Sequence, residues 1–450
     1  MKIAMVSKAD RFGGGASQVA VDLTAALQDL GASVRHYVGW SGKERLRDTY
    51  PAHVIPLFGG APLRLATKSA LVGGWLLGVP EAVPFEWPAV AASGLLDADL
   101  LHVHDITELF SPLTMAWLSR RKPVVWTLHD MSGFTAGCIA SFDGEPLGCE
   151  RWSVAGQGCD GGCPLRAMRR YPFGGVLNGV PLLWRAKRAL ARRGRMHLVA
   201  PSTWLAGEVE RSLLYRGRRP PVIHNGIDTA GVFVARPKPA CRAALGLSAG
   251  RVVIALMAGD LADPLKGFAQ AVATLRALPE ALRARLQLVC IGKRDHAAET
   301  ALAGFAVHWA GFVHDQTLLA IMLAAADLLL YPSMADNQPL AVIEALACGT
   351  PVFAYATGGI AEIIGADAGV VVTRKDSDGL AAALAASVDG GRLETLAEPA
   401  RARAVAGFSR ARMARDYLEF YQKVMNGTAD GTADAPATLR AAGRTDGQAA

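Results

Sequence analysis

The sequence predicts an α/β protein built as two doubly wound halves. Three observations carry that expectation. Short, mainly apolar segments recur, among them Leu100–His104 (LLHVH) and Leu328–Tyr331 (LLLY). Such runs suit strands buried on both faces of a parallel sheet. Helical spacing alternates with them, as in residues 17–30, where Val19, Leu23, Ala26, Leu27 and Leu30 share one face. The alternation stops near residue 220 and starts again at 252–258, so the chain divides there.

Composition agrees with this. A chain of 450 residues suggests two or three domains. At 51% hydrophobic and 19% charged it can bury large cores, which excludes disordered and fibrous classes. No stretch reaches the roughly 20 apolar residues needed to span a bilayer; residues 70–79 (ALVGGWLLGV) come nearest. At the N-terminus the apolar run covers only residues 3–6 and no cleavage site follows, so it reads as a strand rather than a signal peptide. A cytoplasmic location is expected. Net charge is +7 and the pI about 9.1. Residues 166–219 hold thirteen Arg or Lys against Glu208 and Glu210. That excess points to an anionic partner (a membrane surface, a phosphorylated acceptor or nucleic acid) or else to a solvated basic face.

In the first half, MKIAMVS is a strand and residues 8–16 (KADRFGGGA) are a glycine loop before the helix at 17–30. Strand, glycine loop and helix start make a phosphate cradle in doubly wound folds. The loop is neither GxGxxG nor GK[ST], so dinucleotide and P-loop readings lack support. Residues 41–95 are irregular, and 62–88 mix apolar and basic side chains in a helix or loop insert. Strands at Leu100–His104 and 124–129 follow, and His129 ends the second, on the carboxyl edge where open sheets place ligands. Residues 134–164 form an insert with Cys138, Cys149, Cys159 and Cys163, four of the seven cysteines. Disulfides are disfavoured in the cytoplasm. Four thiols on a glycine-rich loop can hold a structural zinc, although C-x10-C-x9-C-x3-C is not a standard ribbon spacing. The alternative is packed free thiols. A strand at 196–200 and a helix capped by Ser202 close this half.

Strands at 252–258, 286–291 and 307–313 open the second half. The most informative stretch is 327–362, DLLLYPSMADNQPLAVIEALACGTPVFAYATGGIAE. It reads as strand, loop, helix and strand. Asp336 or Asn337 is expected to cap the helix, Pro339 to occupy its first turn, and Gly349 with Pro351 to end it. Glu344 stands alone in an apolar run, where a carboxylate needs a dedicated partner. Residues 409–425 are an amphipathic helix, and 426–450 lack periodicity and read as a disordered tail.

Asp336-x7-Glu344, followed by ALACGTPV and by Gly358-Gly359-Ile360-Ala361-Glu362, resembles the donor-sugar motif of glycosyltransferase family 4. The segment V-I-x-N-G-I-D at 222–228 is similar to that family's linker, and the Thr-Leu-His ending at His129 to its active-site histidine. The pieces HDM, FT-x-x-C, CERW and CP resemble a Cys-bearing subset of the family. The resemblance covers residues 1–425. It implies a GT-B fold, two Rossmann-like domains facing across a cleft: 1–215 on the acceptor side, 220–405 binding the nucleotide-sugar, and 409–425 packing back on the first.

It further implies a retaining, hexosyl-type glycosyltransferase. The donor would be a UDP- or GDP-sugar and the acceptor a glycan or lipid-linked molecule, in exopolysaccharide or lipopolysaccharide assembly at the cytoplasmic face of the inner membrane. His129, Lys266 and Asp336 would be catalytic. Gly14 and Gly15 would approach the donor phosphates. Lys266, Asp336 and the loop amides of Asn337, Gln338, Pro339 and Leu340 would face sugar and diphosphate, and Glu344 the ribose. No cofactor or catalytic metal is expected, and no nucleic acid. Two departures stand out. The family's usual first Glu is Asp336, and Asp260 occupies the position of an expected Arg, for which Lys293 or Arg294 are candidate replacements. Rival readings are a GT-B epimerase or hydrolase, an inactive scaffold, and a basic, zinc-clasped nucleic-acid-binding protein. The last leaves the Asp336–Glu344 spacing unexplained.

Overall fold

The strands that read as continuous apolar runs are the centres of two six-stranded parallel sheets. The computed structural model describes residues 1–40, 50–58, 61–76, 84–107, 109–140, 149–159 and 179–429. Within these, the first sheet comprises β1 (Lys2–Ala9), β2 (Ser33–Trp40), β3 (Val54–Pro56), β4 (Leu100–His104), β5 (Val124–Thr127) and β6 (Met196–Val199). Its order is β3-β2-β1-β4-β5-β6. The second comprises β7 (Val252–Asp260), β8 (Leu286–Lys293), β9 (Ala306–Gly311), β10 (Leu328–Tyr331), β11 (Val352–Tyr355) and β12 (Gly369–Val372), in the order β12-β11-β10-β7-β8-β9. Both orders are the doubly wound one. In each, the chain leaves the sheet in opposite directions from two neighbouring strands, β1 and β4 or β7 and β10, and a crevice opens at their carboxyl ends.

Helices cover both faces, so β4, β5, β10 and β11 are buried at every residue. Alternation does the sorting. In β7, Val253 and Ala255 join one core with Val342, Ile343 and Leu346, while Ile254 and Leu256 join the other with Leu275 and Leu384.

The chain divides into two units: Met1–Ile223 together with the chain from Ala414 onward, and His224–Met413. The last helix, Arg410–Met425, buries Ala414, Tyr417, Tyr421 and Val424 at helical spacing. Within the first unit it is tied to the sheet by polar contacts. The Tyr421 hydroxyl lies 2.6 Å from His102 Nδ1, and the Tyr417 hydroxyl 2.7 Å from Thr127 Oγ1.

Several strand ends differ from expectation: β7 and β8 each run two residues further, to Asp260 and Lys293, and others stop short. β5 stops at Thr127, two residues before His129, and β9 stops at Gly311, whose φ of +68° turns the chain out of the sheet. The tail from residue 430 and the parts of the cysteine insert at 141–148 and 160–164 lie outside the described residues, Cys163 among them.

Candidate active site

In the second unit, the loops after β7 and β10 lie side by side at the sheet's carboxyl edge. Asp263 accepts from Leu265 N at 2.9 Å and starts the short turn Pro264–Lys266. The β10 loop is stitched to it: Met334 N donates to Leu265 O (2.9 Å), and Ser333 Oγ lies 3.1 Å from the same carbonyl. Two glycines allow this nesting. Gly267 (φ +75°) lies against the Pro332 carbonyl and Gly358 (φ +55°) against that of Asp336, and a Cβ on either would overlap those oxygens.

This interlock brings Lys266 and Asp336 together across 70 residues. Lys266 Nζ donates to both carboxylate oxygens, at 2.9 and 3.2 Å. Tyr331 OH (2.8 Å) and Ser333 Oγ (2.7 Å) also donate to Oδ2. Burial first, and then the Asp336 charge, hold the Tyr331 hydroxyl well above its ordinary range, so it remains a donor. Asp336 is therefore a fixed anion whose acceptor positions are largely occupied.

That geometry corrects the expected cap. The N-cap of the helix Leu340–Ala347 is Pro339, whose ring offers no cap, and the Asp336 carboxylate is spent on Lys266, Tyr331 and Ser333. Pro339 has no N–H, so it contributes only its fixed φ of −69°. The side chain of Gln338 has a structural task of its own. Its Oε1 accepts from Asn225 N (2.6 Å) and its Nε2 lies 2.9 Å from His224 Nδ1, so its side chain ties down the segment after β6. Asn337 accepts from Gly359 N through its carbonyl (2.8 Å). Glu344 is 6% exposed, one turn into the helix on the side that Leu340 begins. A helix start that follows a loop pinned to an ammonium suits an anion.

Of the cations proposed to replace the Arg absent at Asp260, Arg294 is paired with Glu299 (3.2 Å) and lies over Trp309. Lys293 sits directly across from Asp260 in the β7–β8 register. Sequence reasoning missed Arg374, at the end of β12, whose Nε donates to Met334 O (3.2 Å) at the edge of the same loop. Its strand is two away from the crevice in sheet order, and no motif marks it.

In the first unit, Gly14 (φ +101°) caps the helix Gly15–Asp29 with no side chain, and a Cβ there would meet open space. The turn before it is set by Asp10, whose carbonyl accepts from Gly13 N and whose Oδ1 accepts from Phe12 N. His129 is half-buried just beyond β5, its Nε2 2.9 Å from His104 Nδ1. Burial lowers its pKa to about 4 against the pull of Asp105. Asp130 beside it is pushed up to about 6, first by burial and then by Asp105. It caps the turn at Met131–Phe134, and buried Lys187 donates to Ser132 O at 2.8 Å. His102, His104 and His36 complete a row of buried imidazoles. Among the described residues no three His, Cys, Asp or Glu side chains converge as metal ligands, and Cys138, Cys149 and Cys159 form no disulfide.

The family model described as Glycosyltransferase Family 4 matches residues 13–230, and that described as Glycosyl transferases group 1 matches residues 252–389. The chain belongs to glycosyltransferase family 4. Among relatives of this family 4 enzyme is the putative colanic acid biosynthesis glycosyl transferase WcaC of Escherichia coli. It is 28% identical over 67% of this chain and 68% of its own length. A glycogen synthase of Halorhodospira halophila is 27% identical over 92% and 96% of the two chains. Among solved structures, sucrose-phosphate synthase of Thermosynechococcus elongatus superposes with a TM-score of 0.68 at 19% identity, covering 95% of this chain and 99% of that one. The Anabaena protein HepE in complex with UDP gives 0.63 at 19%, covering 94% and 100%. The family 4 enzyme has the GT-B fold of these structures.

Proposed function

We propose that this glycosyltransferase moves a hexosyl group, with retention, from a UDP- or GDP-sugar to a glycan or lipid-linked acceptor in exopolysaccharide or lipopolysaccharide assembly. The observation that carries the donor assignment is Lys266 held by Asp336 in the loop that leads to the start of Leu340–Ala347. As the glycosyl bond breaks, negative charge grows on the leaving diphosphate and positive charge on the anomeric carbon. A fixed ammonium and a helix start meet the first of these without reorganising. Asp336 keeps Lys266 in place, and Glu344 takes the ribose hydroxyls. On the first unit, Gly14 and Gly15 are assigned as phosphate contacts, and His129 acts at the reacting sugar. The names of WcaC and of HepE's bound UDP support the polysaccharide and uridine readings. A thermal-shift screen over UDP-, GDP- and ADP-sugars tests the assignment. A donor at 100 times its Kd raises stability by about 2.7 kcal/mol, and absence of any shift overturns it. Product analysis with and without acceptor separates transfer from hydrolysis or epimerisation.

The proposal includes contact with an anionic membrane surface. The helices Pro112–Ser119 and Val180–Arg193 join β4 to β5 and β5 to β6, so right-handed crossovers set both on one face of the first sheet. Outward they show Leu113 and Leu182, with Arg185, Arg188 and Arg193. Trp87 packs on Trp117 (6.1 Å between centroids), and the Arg121 guanidinium lies 4.2 Å from the Trp117 ring. Aromatic rings mixed with arginines suit a lipid interface. Co-sedimentation with vesicles containing anionic lipid should weaken about fivefold for each Arg185→Ala or Arg188→Ala change. Equal binding to neutral vesicles contradicts the electrostatic part.

A further inference from the structure

His104 is fully buried, and its ring is committed on one side only. Its Nδ1 lies 2.9 Å from His129 Nε2, while its Nε2 has no hydrogen-bond partner among the described residues. The His102 ring lies 4.2 Å from it between centroids, tilted by 41°, and no carboxylate is among the groups that act on its charge, so the ring is neutral. A neutral imidazole has one N–H and one bare nitrogen.

Two arrangements of the pair are possible. In one, His104 carries its proton on Nε2, where a buried N–H finds no acceptor, and His129 donates through Nε2. In the other, His104 donates from Nδ1 to a bare His129 Nε2, and the proton of His129 resides on Nδ1. Buried N–H groups without acceptors are rarer than buried acceptors without donors. The Asp105 charge acts on His129 and opposes the effect of burial. Asp105 is held there in an uncommon conformation (φ +39°) by bonds to Thr107 N and Oγ1 at 3.0 and 2.7 Å. The lack of an acceptor at His104 Nε2 among the described residues selects the second arrangement.

We propose that His104 is a positioning residue that locks His129 in the Nδ1–H form. His129 then acts as a hydrogen-bond donor through Nδ1, and its Nε2 is closed to proton abstraction. A functional consequence rests on the placing of His129 at the reacting sugar, whereas the tautomer itself does not. The test is therefore read first without turnover. In the full chain labelled with 15N-histidine at pH 7.5, two-bond proton–nitrogen correlations should show His129 protonated at Nδ1 and bare at Nε2. Its signals are assigned by their loss in His129→Asn. His104→Leu should shift His129 toward Nε2–H, while His104→Asn, whose amide can donate from the same place, should keep Nδ1–H. With active enzyme, His104→Leu should lower kcat about tenfold or more at unchanged donor KM, and His104→Asn should restore most of it. Nε2–H on His129 in the native chain overturns the proposal even if His104→Leu does not fold. So does an unchanged tautomer in a folded His104→Leu. A correct tautomer in a chain that turns over no donor leaves this proposal standing and removes the functional reading of His129.

Discussion

Lys266→Ala should lower kcat/KM for the donor by about 10² to 10³, the usual cost of removing one preorganised group from a developing anion. Steady-state kinetics with the donor found in the thermal screen measure it. The substitution also leaves Asp336 with only Tyr331 and Ser333 as donors. Removing one partner of a buried pair is destabilising. With the Lys266 side chain 31% exposed, the loss should be about 1–2 kcal/mol, below that of a fully buried pair. The double variant Lys266→Ala with Asp336→Asn separates the two effects. It should recover much of the stability and none of the activity. Recovery of activity with stability would assign Lys266 to the fold rather than to the leaving group.

The first unit should lose its protection ahead of the second as pH falls from about 6.5 toward 4. His36 and His129 are lowered from 6.5 to about 3 and about 4, chiefly by burial, and His102 and His104 are lowered well below 6.5 for the same reason. Below pH 6.5 the unfolded chain takes up protons that these native rings refuse, so stability falls as pH falls through this window. Asp130, raised to about 6, acts in the opposite direction: its contribution is present at low pH and is lost as pH rises through 6. With His197 also lowered and Glu86 also raised by burial, five rings outweigh two carboxyls. Amide exchange at pH 7 and pH 5 should show β4 and β5 weakening while β10 and β11 hold. Equal loss in both sheets would contradict the burial of these histidines.

Much of the fold was legible because it rests on local signals. LLHVH and LLLY admit burial on both faces, Ser202 accepts from Leu205 N as a cap (3.0 Å), and V-I-H-N-G-I-D marks the passage between units. The spacing Asp336-x7-Glu344 identified the family, and the loops that hold Lys266 and Asp336 are those flanking the second crevice. What each side chain does there was less legible. Asp336 is taken from the helix cap by a lysine 70 residues earlier, and Gln338 by a segment 113 residues away. No local propensity encodes either choice, since both depend on how Gly267 and Gly358 let loops nest. The histidine row was hidden for a related reason. His36 lies on β2 and His102 and His104 on β4, and only sheet order, with β1 between them, brings the two strands near each other. His102 and His104 share a strand face by the two-residue period, a signal that was present and unread.

The central claim is that the second unit holds the donor's diphosphate at Lys266 and the start of the Glu344 helix. Hydrogen–deuterium exchange with and without UDP or GDP tests it most directly. The account predicts slowed exchange in peptides covering 263–268 and 336–344 on nucleotide binding, and loss of that effect in Glu344→Ala. Binding that leaves those two stretches unchanged would contradict it.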